Sequence, residues 1–229
     1  MRVATGCRGM DRLLDGGLPS NRLYVISGPP GSGKTTFAAQ FVTEGVRNDE
    51  TSLYITMHET RQELVEDMAS FDFGFEQAIT SNVARFLNLT SEKARMSLTK
   101  YGTEGGLINR VAAMIEEMDV DRVVIDSTML LTHFVENPDN ALTEFATRLK
   151  QTGATILLVS EMTDPSSYSA EHYLAHGVIF FHNFMEAGGM TRAVQVIKMR
   201  GTDIDTDMHR ASFSSGGLAV HPEEKVDRA

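Results

Sequence analysis

Four short stretches of unbroken apolar, largely β-branched character punctuate the chain: Leu23 to Ser27 (LYVIS), Leu53 to Thr56 (LYIT), Arg122 to Ile125 (RVVI) and Thr155 to Ser160 (TILLVS). A strand buried on both faces needs continuous rather than alternating apolar residues, so these runs predict a parallel sheet. Between them, apolar residues recur at helical spacing. Phe37, Ala38, Phe41 and Val42 mark a helix from Lys34 to about Val46, and Ile108, Val111, Ala112 and Ile115 mark another from Leu107 to Met118. A third runs from Asn137 to Lys150, opened by Asn137-Pro138 and stopped at Gly153. After Gly177 the rhythm changes. The run GVIFFHNFME, a Gly188-Gly189 turn and TRAVQVIKMR predict an antiparallel hairpin, with a further short pair at Ala211 to Phe213 and Leu218 to Val220. The predicted class is α/β: a mostly parallel central sheet with helices on both faces and an antiparallel C-terminal extension. One domain over residues 1–222 and a polar tail over 223–229 complete the picture, with no internal repeat.

Directly after the first strand stands Gly28-Pro29-Pro30-Gly31-Ser32-Gly33-Lys34-Thr35, a full G-x-x-x-x-G-K-[ST], followed by Thr36 and an amphipathic helix. Strand before and helix after are the context this motif requires. The glycines let successive N–H groups turn inward on phosphate oxygens; Lys34 supplies charge to them, and the Thr35 hydroxyl is a magnesium ligand. The helix start adds its positive end. ATP and Mg²⁺ are the cofactors expected. A second oxygen ligand belongs at the end of a buried strand, and RVVIDS supplies Asp126 there, although an aspartate in that place also serves as a helix cap. In an open α/β sheet the nucleotide sits at the carboxyl edge of the strands. That edge gathers Ser27, Asp126, Ser160 and the pair His58-Glu59 that ends LYITMHET. Glu59 is the candidate to orient an attacking water, and His58 either shares that task or packs. Glu161, ending TILLVSE, is a candidate to sense the γ-phosphate.

Composition narrows the classes. The chain has 229 residues, 41% of them hydrophobic, enough for a substantial core, and no apolar run long enough to span a bilayer. The N-terminal MRVATGCRGM lacks the apolar centre of a signal peptide and Cys7 is a lone cysteine, which points to the cytoplasm. A net charge of -10 opposes a broad basic face for nucleic acid, and suits a protein kept soluble in high salt as well as many ordinary acidic enzymes. The thirteen methionines read as core filler. His172 and His176 stand at i, i+4, but EHYLAH lacks the H-E-x-x-H order and no third ligand is evident, so no zinc site is expected.

Five segments, TGCRGMDRLLDGGLP, GPPGSGKTTFAAQF, YITMHETRQEL, RVVIDS and VIKMRGT, occur in the order and approximate spacing of the KaiC-like branch of the RecA-type P-loop ATPases. The chain resembles a single-domain member of that branch, of archaeal and possibly halophilic type, from Val3 to Pro222. The resemblance implies a RecA-like core and a homo-oligomeric, hexameric ring with ATP between subunits. In the family the strand corresponding to YITMHET ends in two glutamates, the first activating water; here they fall on His58 and Glu59, so one carboxylate is replaced. A neighbouring subunit contributes basic residues from a C-terminal strand, which the resemblance places on Lys198 and Arg200. Two positions apart, they project from one face of a strand. The family's Ser-Thr autophosphorylation pair falls on His172 and Tyr173, so that activity is not expected.

Three functions compete: a slow ring ATPase that switches a signalling or timing partner, an ATP-binding module with negligible hydrolysis, and a recombinase paralogue. The last fits least, because the chain opens almost at the core and is acidic. The segment TSEKARMSLTKYGTEGG suits a variable partner-binding loop.

Overall fold

The parallel runs form strands because their side chains fill two cores at once. The structure, a computed structural model, describes residues 1–56, 58–81, 83–89, 106–127, 138–162, 164–166, 168–186 and 188–227. The parallel core comprises β3 (Leu23–Gly28), β4 (Ser52–Thr56), β5 (Ala84–Asn88), β6 (Arg122–Asp126) and β7 (Thr155–Glu161). The C-terminal strands are β8 (Gly177–Glu186), β9 (Gly189–Met199), β10 (Met208–Ser214) and β11 (Gly217–Lys225), and a small pair, β1 (Arg2–Val3) and β2 (Leu18–Pro19), stands apart. Among the described residues the large sheet has nine strands in the order β11-β10-β9-β8-β3-β7-β6-β4-β5.

Successive side chains of each strand point to opposite faces. On one face Tyr24, Ile26, Tyr54, Val124, Leu157 and Val159 pack against α2 (Lys34–Arg47), with α1 (Met10–Leu13), α3 (Arg61–Met68) and α4 (Phe75–Thr80) beside it. On the other face Leu23, Val25, Leu53, Ile55, Val123 and Ile125 meet α5 (Gly106–Glu117) and α6 (Pro138–Leu149). Phe37, Ala38, Phe41 and Val42 of α2 are fully buried, as their spacing predicts. The short α7 (Ala170–Leu174) precedes β8.

The four predicted parallel strands are present, and three features differ from expectation. β8 pairs antiparallel with β9 but parallel with β3, Tyr24 opposite Gly177, so the hairpin grows out of the parallel core. β5 lacks an apolar signal because it is the outer strand, with only Ala84 buried. β11 runs past the expected short pair to Lys225, and Val226 is buried with its N–H on the Met208 carbonyl, so ordered structure continues into the segment read as tail. The start of the third predicted helix at Asn137, and all of the predicted partner loop from Thr90 except Gly106, lie outside the described residues.

Candidate nucleotide site

The loop after β3 curls because three glycines take positive φ: Gly28 at 150°, Gly31 at 74° and Gly33 at 104°. Gly28 has no alternative, since a Cβ there would stand 2.1 Å from the Phe181 carbonyl oxygen of β8. Gly33 caps α2 without a side-chain acceptor, so the first N–H groups of that 14-residue helix are left to an anion. Lys34 is largely buried, and its ammonium donates to the carbonyls of Gly28 at 2.8 Å and Pro29 at 3.0 Å, leaving one of its three donors. Burial pulls its pKa below the usual lysine range, against the pull of Glu161 and Asp126. Ser32 Oγ is buried and, among the described residues, has no partner.

The cavity in front of this loop measures about 390 Å³, within the range of small-molecule sites. Pro30, Gly31, Gly33, Lys34, Thr35 and Thr36 form its floor; His58, Asp126 and Glu161 stand around it, so most sequence-predicted residues converge there. Gly28, Pro29 and Ser32 belong to the loop but do not line it. The Thr35 hydroxyl donates to Asp126 Oδ2 at 3.1 Å, bringing together the two oxygens expected at a magnesium ion. Burial raises the Asp126 carboxyl above its usual range, opposed by the bonds from Tyr54 and Thr35 and by His58 and Lys34. Among the described residues no three His, Cys, Asp or Glu side chains cluster around a metal. The donors present suit Mg²⁺, which keeps waters and phosphate oxygens rather than an all-protein cage.

His58 and Glu59 part company. β4 gives way to α3 through a capping box in which Thr60 accepts from the Glu63 N–H and Glu63 accepts from the Thr60 N–H. In this short link His58 faces the cavity, its Nε2 3.2 Å from Ser127 Oγ, whereas Glu59 does not line it. Glu59 is half-buried, its carbonyl accepts from Asn88 at 2.6 Å, and burial followed by the charges of Asp126, Asp67 and Glu63 raises its carboxyl pKa.

The sequence reading missed the far wall. Arg192 on β9 donates through Nε to the Gly31 carbonyl at 2.9 Å, and its guanidinium lies 4.9 Å over the ring of Phe213 on β10. Both residues line the cavity, and Asn183 on β8 reaches the Pro30 carbonyl at 3.2 Å. No local signal marks them, since the sheet order alone carries β9 and β10 beside the loop. Ser127, the last residue of RVVIDS, also lines the cavity, although the motif assigns a role to Asp126 alone.

Lys198 and Arg200 lie elsewhere. Lys198 donates to the carbonyls of His172 at 3.0 Å and Tyr173 at 3.1 Å, and Arg200 also reaches Tyr173, so the two share a face as expected. Lys198 is opposite Val178, which is opposite Val25. That register leaves it roughly 10 Å short of the loop along the strands and about as far across them. Neither cation has a carboxylate partner among the described residues. Burial, then Arg200 and Lys150, draw the Lys198 pKa down. The ring nitrogens of His172 face Ser27 Oγ at 2.7 Å and Ser169 Oγ at 2.8 Å.

A mostly parallel sheet, a glycine cradle opening a buried helix, and an aspartate ending β6, two strands from β3, define a P-loop NTPase of the RecA type. Residues 3–225 match the family described as ATPase: KaiC, and the chain belongs to that family. It is 29% identical over 88% of its length to the circadian clock oscillator protein KaiC of Prochlorococcus marinus subsp. pastoris, covering 41% of that protein. It is 27% identical over 88% of its length to the circadian clock protein KaiC3 of Synechocystis sp., covering 42%. The chain thus spans less than half of these relatives. Its fold also matches the crystal structure of a KaiC-like protein from the hyperthermophilic archaeon Pyrococcus horikoshii OT3, at a TM-score of 0.83, 26% identity and 97% and 99% coverage of the two chains. Among the described residues no helix is long and apolar enough to cross a membrane.

Proposed function

We propose that this chain binds Mg-ATP in the cavity at the start of α2 and hydrolyses it slowly at interfaces within a homo-oligomeric ring, so that nucleotide state switches a protein partner. The observation that carries the reading is the 3.1 Å bond from Thr35 to Asp126, which sets two hard oxygens at the mouth of the cradle. Thr35 and Asp126 would hold magnesium; when bound, it neutralises charge on the β- and γ-phosphate oxygens. The inward N–H groups of Gly31 to Lys34 and the remaining Lys34 donor bind the phosphates. The stacked pair of Arg192 and Phe213 offers a flat wall to the purine base. Glu59, next to the cavity-lining His58, is the carboxylate we assign to orient water, and Glu161, which lines the cavity, the one we assign to the γ-phosphate side. Lys198 and Arg200, too far from their own cradle, suit the site of a neighbouring subunit.

A second reading, tight binding with negligible turnover, is favoured by one observation: the side chain on the cavity wall at the β4 tip is His58, not a carboxylate. Phosphate release and ATP binding measured together separate the two. Lys34→Ala loses ATP binding, and Glu59→Gln keeps binding while turnover falls by about 100-fold, the scale of a lost general base. ATP affinity unchanged in Lys34→Ala overturns the proposal; a wild type that binds without releasing phosphate selects the second reading.

A further inference from the structure

Asp126 Oδ2 accepts a second hydrogen bond, one that the nucleotide reading does not require. Tyr54, at the centre of β4, donates its hydroxyl to that oxygen at 2.8 Å, while Thr35 donates to the same atom from α2. The arrangement follows from the sheet. Tyr54 is in register with Val124 and Thr56 with Asp126, so Tyr54, Val124 and Asp126 project to one face and the phenol spans one strand spacing obliquely. Its ring cannot swing away: Tyr54 is fully buried, stacked on Phe86 at 5.9 Å and set edge-on to Phe75 at 6.3 Å. A tyrosine hydroxyl carries its proton at neutral pH, and here that proton is directed at Asp126 Oδ2. It is therefore a fixed donor.

We propose that Tyr54 is a positioning residue for the metal: its hydroxyl pins Asp126 Oδ2, fixing the carboxyl's rotation so that the other oxygen is presented to the cavity. Two donors from different elements on one oxygen leave the carboxylate a single orientation, whereas Thr35 alone would let it pivot about one bond. Partners of this kind orient metal-ligating carboxylates, and their loss costs about 10- to 100-fold in metal affinity. A bland role competes, because a buried tyrosine needs some acceptor for its hydroxyl. The two roles differ in what they move.

The inference rests on Thr35 and Asp126 as the magnesium pair, and the test separates the two claims. Binding of a fluorescent ATP analogue is followed against Mg²⁺ concentration, with thermal melting in parallel, for the wild type, Tyr54→Phe and Phe86→Leu. Tyr54→Phe keeps the ring and its stacking, so it folds. Its half-saturating Mg²⁺ rises about tenfold while affinity for the analogue in EDTA stays unchanged. Phe86→Leu, which disturbs the same stack, melts lower but keeps the wild-type Mg²⁺ requirement. A wild-type Mg²⁺ requirement in Tyr54→Phe, or an equal shift in Phe86→Leu, overturns the inference alone. A wild type whose nucleotide binding ignores Mg²⁺ overturns the magnesium pair and the inference with it.

Discussion

Asp126 and Glu59 are two carboxyls held partly out of water, and burial makes each easier to protonate, with the charge of Asp126 adding to the effect on Glu59. For an acid whose folded pKa exceeds its unfolded one, the folded chain holds an extra proton between the two values. Its contribution to stability is therefore lost as pH climbs through that window. Asp126→Asn removes this term while its amide oxygen can still accept from Thr35 and Tyr54. Without metal, the variant is expected to melt above the wild type at neutral pH, the gap closing as pH falls below the ordinary carboxylate range; a gap independent of pH would refute the burial argument. His58 lends itself to the opposite experiment. It is the side chain at the strand tip that faces the cavity, so His58→Glu puts a carboxylate on the cavity wall, and under the proposed reaction turnover is expected to rise about tenfold or more, within the range of general-base catalysis. Unchanged or lower turnover, with ATP binding intact, would leave Glu59 as the sole group for that work. At this scale the sequence was informative about residue types but not directions: HE at a strand end identifies two ionisable groups, and only the turn into the capped α3 decides which one points inward.

The β8–β9 hairpin is the element that completes the site. Asn183 holds the Pro30 carbonyl and Arg192 the Gly31 carbonyl, while the backbone of Phe181 fits against the bare Cα of Gly28. Arg192→Ala removes a charged hydrogen bond and a guanidinium stacked on Phe213, together about 1 to 2 kcal/mol. ATP affinity is therefore expected to fall about tenfold by titration, with the Mg²⁺ requirement unchanged; a shift in that requirement instead would show that the hairpin acts through the metal side. Gly28→Ala should be harsher, destabilising the fold by about 2 kcal/mol or more, because a methyl group cannot share space with the Phe181 carbonyl. The cradle and the strands β3, β4, β6 and β7 could be read in advance because each is local: a motif with its flanks, or an unbroken apolar run. The hairpin could be recognised as a hairpin, yet its contact with the loop could not. That contact depends on β8 lying parallel to β3, a long-range pairing with no trace in either strand's own pattern. β5 was missed for a related reason, since an outer strand with mixed exposure lacks the periodicity that identifies its neighbours.

On the scale of the whole molecule, the separation between the cradle and the Lys198–Arg200 pair has one economical explanation. Two cations with no carboxylate partner among the described residues, with burial and then Arg200 and Lys150 drawing the Lys198 pKa down, gain most from an anion brought to them. Their own nucleotide would lie roughly 10 Å away along the strands. A head-to-tail ring, as proposed, would deliver the neighbour's phosphates instead, since such an interface joins two different patches of the same chain. Mixing subunits tests this directly. Lys34→Ala subunits lack a working cradle but still offer Arg200; Arg200→Ala subunits keep the cradle but offer nothing to the next. Each alone should be nearly inactive. In equal mixtures reassembled at random, about one interface in four pairs an intact cradle with an intact Arg200, so turnover should recover to about a quarter of the wild-type value. If Arg200 served its own subunit, no mixture could restore a site, and activity would stay at the level of the separate variants. Recovery that depends on ATP during mixing would further indicate that nucleotide helps hold the ring, because a ligand shared across an interface stabilises the assembly that binds it.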